Sequence, residues 1–162
     1  MTSLARRLLP GLLLVSFPVM LSAQETAHIS LGTGMLGVLD KDRTLNFSAD
    51  YRFAAKGPVQ PRLLASWATD GSRLLGAGLL LNLDLAARCR LTLGFGPGYY
   101  ERNRGRDLGS TVEFVSTAEF SIAAGRQRRI GLAAGHISNG GLNGKNPGTE
   151  TLTVFWSLPV GR

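Results

Sequence analysis

Only two histidines, His28 and His136, stand in this 162-residue chain, so histidine-dependent chemistry has a short list of sites. Ser138 lies two residues after His136, and in an extended segment residues two apart leave the same face. Glu150 follows fourteen residues after His136. A serine, a histidine and a carboxylate are the components of an acyl-transfer triad. The hydroxyl attacks, the imidazole takes its proton, and the carboxylate orients the imidazole. The same three residues also suit a plainer part, as polar side chains at a membrane interface, and spacing alone does not choose between the two. His28 has no nucleophile beside it and reads as structural. The single cysteine, Cys89, excludes a disulfide scaffold, and so few soft ligands leave no multi-cysteine or histidine-rich metal site. No metal or cofactor is expected.

The elements that must position the trio are strands. Hydrophobic residues are 44% of the chain and charged residues 18%, with a mean hydropathy of +0.08, which excludes a charge-dominated disordered segment. Glycine, at 21 residues, is about twice as frequent as usual. Arg6 and Arg7 precede an apolar stretch, Leu8 to Leu21, that ends in Leu21-Ser22-Ala23. This is the pattern of an export signal, expected over residues 1–23. The stretch is short for a spanning helix, and Pro10 and Pro18 argue further against one. Residues 24–162 then form one domain.

That domain alternates with period two in eight segments. In one, Leu45, Phe47, Ala49, Tyr51 and Phe53 share a face opposite Asn46, Ser48, Asp50 and Arg52. In another, Leu75, Ala77, Leu79, Leu81 and Leu83 oppose Gly76, Gly78, Leu80, Asn82 and Asp84. One face is nearly bare of charge, while the other mixes glycine with Asp50, Arg52, Arg62, Arg90, Glu113 and Glu119. The fifth and seventh connections are the longest, and alternate connections of an up-and-down barrel share a rim. The fold expected is all-β, an eight-stranded antiparallel up-and-down transmembrane β-barrel, its interior filled by side chains rather than open as a pore. A lipocalin-like soluble barrel has the same alternation turned inside out. The export signal, the bare apolar face and interior charges of both signs favour the membrane version.

His136 and Ser138 continue the face of Ile130, Leu132 and Ala134, and Glu150 has the parity of Leu152, Val154 and Trp156. The trio therefore lies on the lipid side near one rim, where an unpartnered polar group costs several kcal/mol. A hairpin symmetric about Asn143-Gly144 brings His136 and Glu150 within one residue of facing each other.

His136-Ile137-Ser138-Asn139-Gly140-Gly141-Leu142, with Glu150 so spaced and a Phe155-Trp156-Ser157-Leu158-Pro159 ending, resembles the lipid A 3-O-deacylase family. The motif covers about the last quarter of the domain. Gly161-Arg162 depart from the aromatic end of many outer-membrane barrels. The resemblance implies an outer-membrane acyl hydrolase with Ser138 as nucleophile, His136 as general base and Glu150 as orienting acid. It also implies that Asn139 and the Gly141 backbone N–H stabilise the oxyanion, one such donor being worth roughly 2.7–4 kcal/mol. Its substrate is lipid A in lipopolysaccharide, losing the 3-O-linked hydroxyacyl chain, and its site faces the lipid near the extracellular rim.

Lipid A carries phosphates, and Arg102, Arg104 and Arg106 lie on a loop of the same rim, where they could hold one. A solvated basic loop explains them equally well. The sequence pI near 10.5 carries no nucleic-acid function in an exported barrel. Bilayer lipid is the expected surrounding, and a homodimer is an open arrangement. The competing function is a non-enzymatic small barrel serving adhesion or membrane stability.

Overall fold

A computed structural model describes residues 20–21 and 24–161. Eight long strands form the barrel: β1 (His28–Leu36), β2 (Thr44–Arg52), β3 (Val59–Ala68), β4 (Arg73–Asp84), β5 (Cys89–Glu101), β6 (Val112–Ala123), β7 (Arg129–Ser138) and β8 (Thr149–Pro159). Each pairs antiparallel with its chain neighbours, and β8 pairs with β1, from Thr151↔Leu36 to Pro159↔His28, closing the sheet. The expected eight-stranded up-and-down barrel is what forms. At 9 to 13 residues, each strand is long enough to cross an apolar band about 25 Å tall.

Alternation explains which side chains go where. Leu31, Leu75, Leu79, Phe95, Leu132 and Val154 all point outward and are more than half exposed. A soluble barrel would hide such residues, so this continuous apolar belt rejects the lipocalin-like reading. Inward lie the charges. Arg52 donates to Glu119 at 3.0 Å and lies 3.2 Å from Asp50, while Arg62 stands 3.5 Å from Asp50. Below them Asn82 donates to Gln60 at 3.2 Å and accepts from Thr92 at 2.9 Å. Asp50, Arg52, Arg62 and Glu119 pair with one another inside, and Arg90 pairs with Asp84 and Glu25, as the sequence predicts; Glu113 is buried too but pairs with no charge among the described residues. Inward glycines have a more particular reason than relief of crowding. A Cβ on Gly96 would run into the Ala77 carbonyl of the adjacent strand.

One rim carries the loops L1 (37–43), L2 (69–72), L3 (102–111) and L4 (139–148), three of which are longer than any connection at the other rim (53–58, 85–88 and 124–128). At the turn end the chain's approach to β1 tucks inward. Glu25 is buried and meets Arg90 at 2.8 Å, and Gln24 and Glu25 pair with Lys56 and Ala55. His28 is buried there too, with Nδ1 2.8 Å from the Thr26 carbonyl and Nε2 2.8 Å from that of Gln127. Of the expected export signal only Met20 and Leu21 are among the described residues, beside Asp84 and Leu83 of β4; the rest lies outside them.

Candidate active site

The site stands on the β7–β8 hairpin, at its loop end. In the antiparallel ladder His136 is directly opposite Glu150, and Ile137 opposite Thr149. The hairpin symmetric about Asn143-Gly144 misses this register by one residue. L4 is not a symmetric turn: Gly140, Gly141, Gly144 and Gly148 all have positive φ, and together they set its path.

His136 and Glu150 emerge on the outer face, with side chains 49% and 34% exposed. Nδ1 of His136 lies 3.4 Å from Glu150 Oε1, an ion-pair distance just beyond a tight hydrogen bond. Ser138, the last residue of β7, has the same parity as His136. On the other flank of β7, His136 faces Ser116 and Ser138 faces Phe114, both on β6. Ser116 is a site neighbour that sequence reasoning passed over. It is the one polar residue in the row Val112, Phe114, Ala118, Phe120 and Ile122, and that interruption was the available signal.

A glycine sets the far side of the imidazole. Gly148 has φ +58°, and a Cβ there would stand 2.8 Å from His136 Cε1 and 3.3 Å from Nε2. Any other residue would be strained in its backbone and would push the ring aside.

Asn139 follows Ser138 and is completely buried. Its amide nitrogen donates to the carbonyls of Leu108 at 2.8 Å and Lys145 at 2.7 Å. Its Oδ1 accepts from the Gly141 N–H at 2.8 Å, and its own N–H donates to Asn146 Oδ1 at 3.0 Å. The side chain thus ties L4 to L3. In this state neither the Asn139 amide nor the Gly141 N–H is directed at an empty position beside Ser138, as the sequence expectation would have them. Both backbone donors are held by side-chain acceptors.

The three arginines of L3 diverge. Arg102 pairs with Asp107 of its own loop at 2.9 Å, both well exposed. Arg106 pairs with Asp40 of L1. Among the described residues Arg104 makes only a 3.5 Å contact, from Nε to the Asp70 carbonyl, and it lines an open cleft of about 770 Å³ between L1 and L3 that also contains Lys41 and Arg43.

Below the trio the outer face narrows in side-chain size. Ala134 lies opposite Ala118 and Leu152, then Leu132 opposite Phe120 and Val154. An apolar groove of about 300 Å³ runs there between Phe120, Ile122, Ile130, Leu132 and Val154. The small Ala134 and Ala118 lie between the trio and this furrow, which is open to the outside of the barrel.

Residues 53–159 match the family described as lipid A 3-O-deacylase (PagL). No curated protein matches the chain. Among solved structures, the outer-membrane enzyme PagL is similar at a TM-score of 0.70 and 17% identity, over 83% of this chain and all of that one. A de novo designed transmembrane β-barrel gives 0.63 at 12% identity, covering 87% of this chain and all of the design. Neisserial surface protein A gives 0.62 at 11%, covering 87% of this chain and 99% of the other. At such identities the structures speak for the fold, an outer-membrane barrel. The family match spans most of the chain, and the chain belongs to the lipid A 3-O-deacylase (PagL) family.

Proposed function

We propose that this outer-membrane lipid A deacylase hydrolyses the 3-O-linked (R)-3-hydroxyacyl ester through an acyl-enzyme on Ser138. The observation that carries the reading is the outward-facing trio, where His136 Nδ1 meets Glu150 at 3.4 Å on an otherwise apolar face. With Nδ1 turned to the carboxylate, Nε2 is the nitrogen left for Ser138. It takes the Oγ proton as Oγ attacks the ester carbonyl. The tetrahedral intermediate collapses, the C–O bond to the sugar breaks, and the imidazolium returns the proton to the leaving sugar oxygen. His136 then deprotonates a water that attacks the acyl-enzyme, releasing the hydroxy acid and restoring Ser138. Glu150 holds the ring and stabilises its charged form.

The Gly141 and Asn139 N–H groups serve the oxyanion once it displaces Asn139 Oδ1 and Asn146 Oδ1 from them. The acyl chain lies past Ala134 into the groove between Phe120, Leu132 and Val154, so the substrate reacts from within the membrane plane. With the longer loops outside the cell, as is usual for such barrels, the phosphorylated sugar meets Arg104 rather than Arg102 or Arg106, which are already paired.

Mass spectrometry of lipid A incubated with refolded protein tests this. Loss of one hydroxyacyl chain with the wild type and none with a folded Ser138→Ala variant is the expected result. Release by Ser138→Ala at the wild-type rate overturns the mechanism.

A further inference from the structure

Glu150 stands at a weakly paired strand end. Its ladder to β7 begins with Ile137↔Thr149, whereas the ladder from β8 to β1 begins only at Thr151. The preceding loop is tied at its start by Asn139, but it enters the strand through Gly148, which has a positive φ. L1 fills this gap. The N–H groups of Gly37 and Val38 donate to the Glu150 carbonyl at 2.8 and 3.3 Å. Asp40 reaches from the same loop, and its Oδ2 accepts from Thr149 Oγ1 at 2.9 Å. Its other oxygen pairs with Arg106 of L3. Thr149 is 1% exposed.

We infer that Asp40 and Thr149 are positioning residues for the Glu150–His136 pair, with Arg106 orienting Asp40. Successive strand residues point to opposite sides. Anchoring the Thr149 side chain inward therefore presents the Glu150 carboxylate outward, toward Nδ1. Gly148, one residue earlier, backs onto the ring itself. The three consecutive residues 148, 149 and 150 set the imidazole's packing, the strand's anchor and the carboxylate. At 3.4 Å the carboxylate–imidazole contact has no slack, so release of the anchor uncouples it. This assigns Arg106 to the protein's own carboxylate, not to a substrate phosphate. The inference rests on the Ser-His-Glu reading above.

The test measures kcat and KM on lipid A for the refolded full barrel and for Thr149→Val, Thr149→Ser, Asp40→Asn, Arg106→Gln and Ser138→Ala, each first checked for folding by heat-modifiable gel mobility. Thr149→Val and Asp40→Asn are expected to lower kcat by about 10- to 100-fold, with KM within about twofold. Thr149→Ser, which keeps the hydroxyl, restores kcat to within about threefold of wild type. Arg106→Gln breaks the network from its exposed end, so it reports even where a buried variant misfolds; a smaller kcat loss is expected there. Wild-type kcat in Thr149→Val, or a rise in KM alone in Arg106→Gln, overturns the inference. A dead Ser138→Ala beside a fully active Thr149→Val refutes only the positioning role. An active Ser138→Ala removes the triad reading and this inference with it.

Discussion

Polar side chains occupy both faces of this barrel, and the two populations are held differently. Inside, Arg52 and Arg62 are almost fully buried and each contacts both Asp50 and Glu119, so every charge in the cluster has at least two opposite neighbours. Arg52 also lies over the Phe155 ring at 5.5 Å. Outside, His136 and Glu150 share one 3.4 Å contact and stay a third to a half exposed. Burial in an apolar medium penalises both sets. Around Arg52 and Arg62 the interior meets that penalty with ion pairs on both sides, although Glu113, fully buried nearer the loop rim, has no hydrogen-bond partner among the described residues. The outer trio leaves bonding capacity open, and that open capacity is what the proposed reaction uses. The same alternation builds a scaffold on one face and a site on the other.

The contrast can be broken from either side. The largest effect is expected for His136→Ala: turnover of lipid A falls by about 10²- to 10⁴-fold, while thermal unfolding in detergent is unchanged. Arg52→Ala should do the reverse. It leaves Glu119 and Asp50 with only the more distant Arg62, costing about 3–5 kcal/mol of stability by denaturant titration, while the folded fraction keeps its specific activity. A smaller change comes from the furrow. Ala134→Phe fills the passage between His136 and Leu132 and should raise KM about tenfold with little loss of kcat in steady-state assays. The smallest is Arg102→Ala, which removes an exposed ion pair worth about 0.2–1 kcal/mol and should leave both kinetic constants within about twofold.

The sequence makes the faces legible because period two is local. Leu45 to Phe53 and Leu75 to Leu83 state their own orientation without knowledge of any partner strand. The hairpin register came within one residue because only a single loop intervened. What the sequence does not disclose depends on loops meeting across the rim. Asp40 bonds to Thr149 across 109 positions, and Arg106 turns to Asp40 instead of standing free. Asn139 is likewise legible as a motif residue but not as a tether, since its partners Leu108 and Lys145 are fixed only when L3 and L4 fold together. Ser116 differs: its signal, a single polar residue in the apolar row from Val112 to Ile122, is local and was passed over.

The central claim is that Ser138 is an activated nucleophile, and covalent labelling tests it most directly. The folded barrel is treated with an alkyl fluorophosphonate and the modified peptide is located by mass spectrometry. The account predicts a single adduct on Ser138, lost in His136→Ala. An unlabelled Ser138 in folded, deacylating protein, or an adduct on another residue that blocks activity, would contradict it.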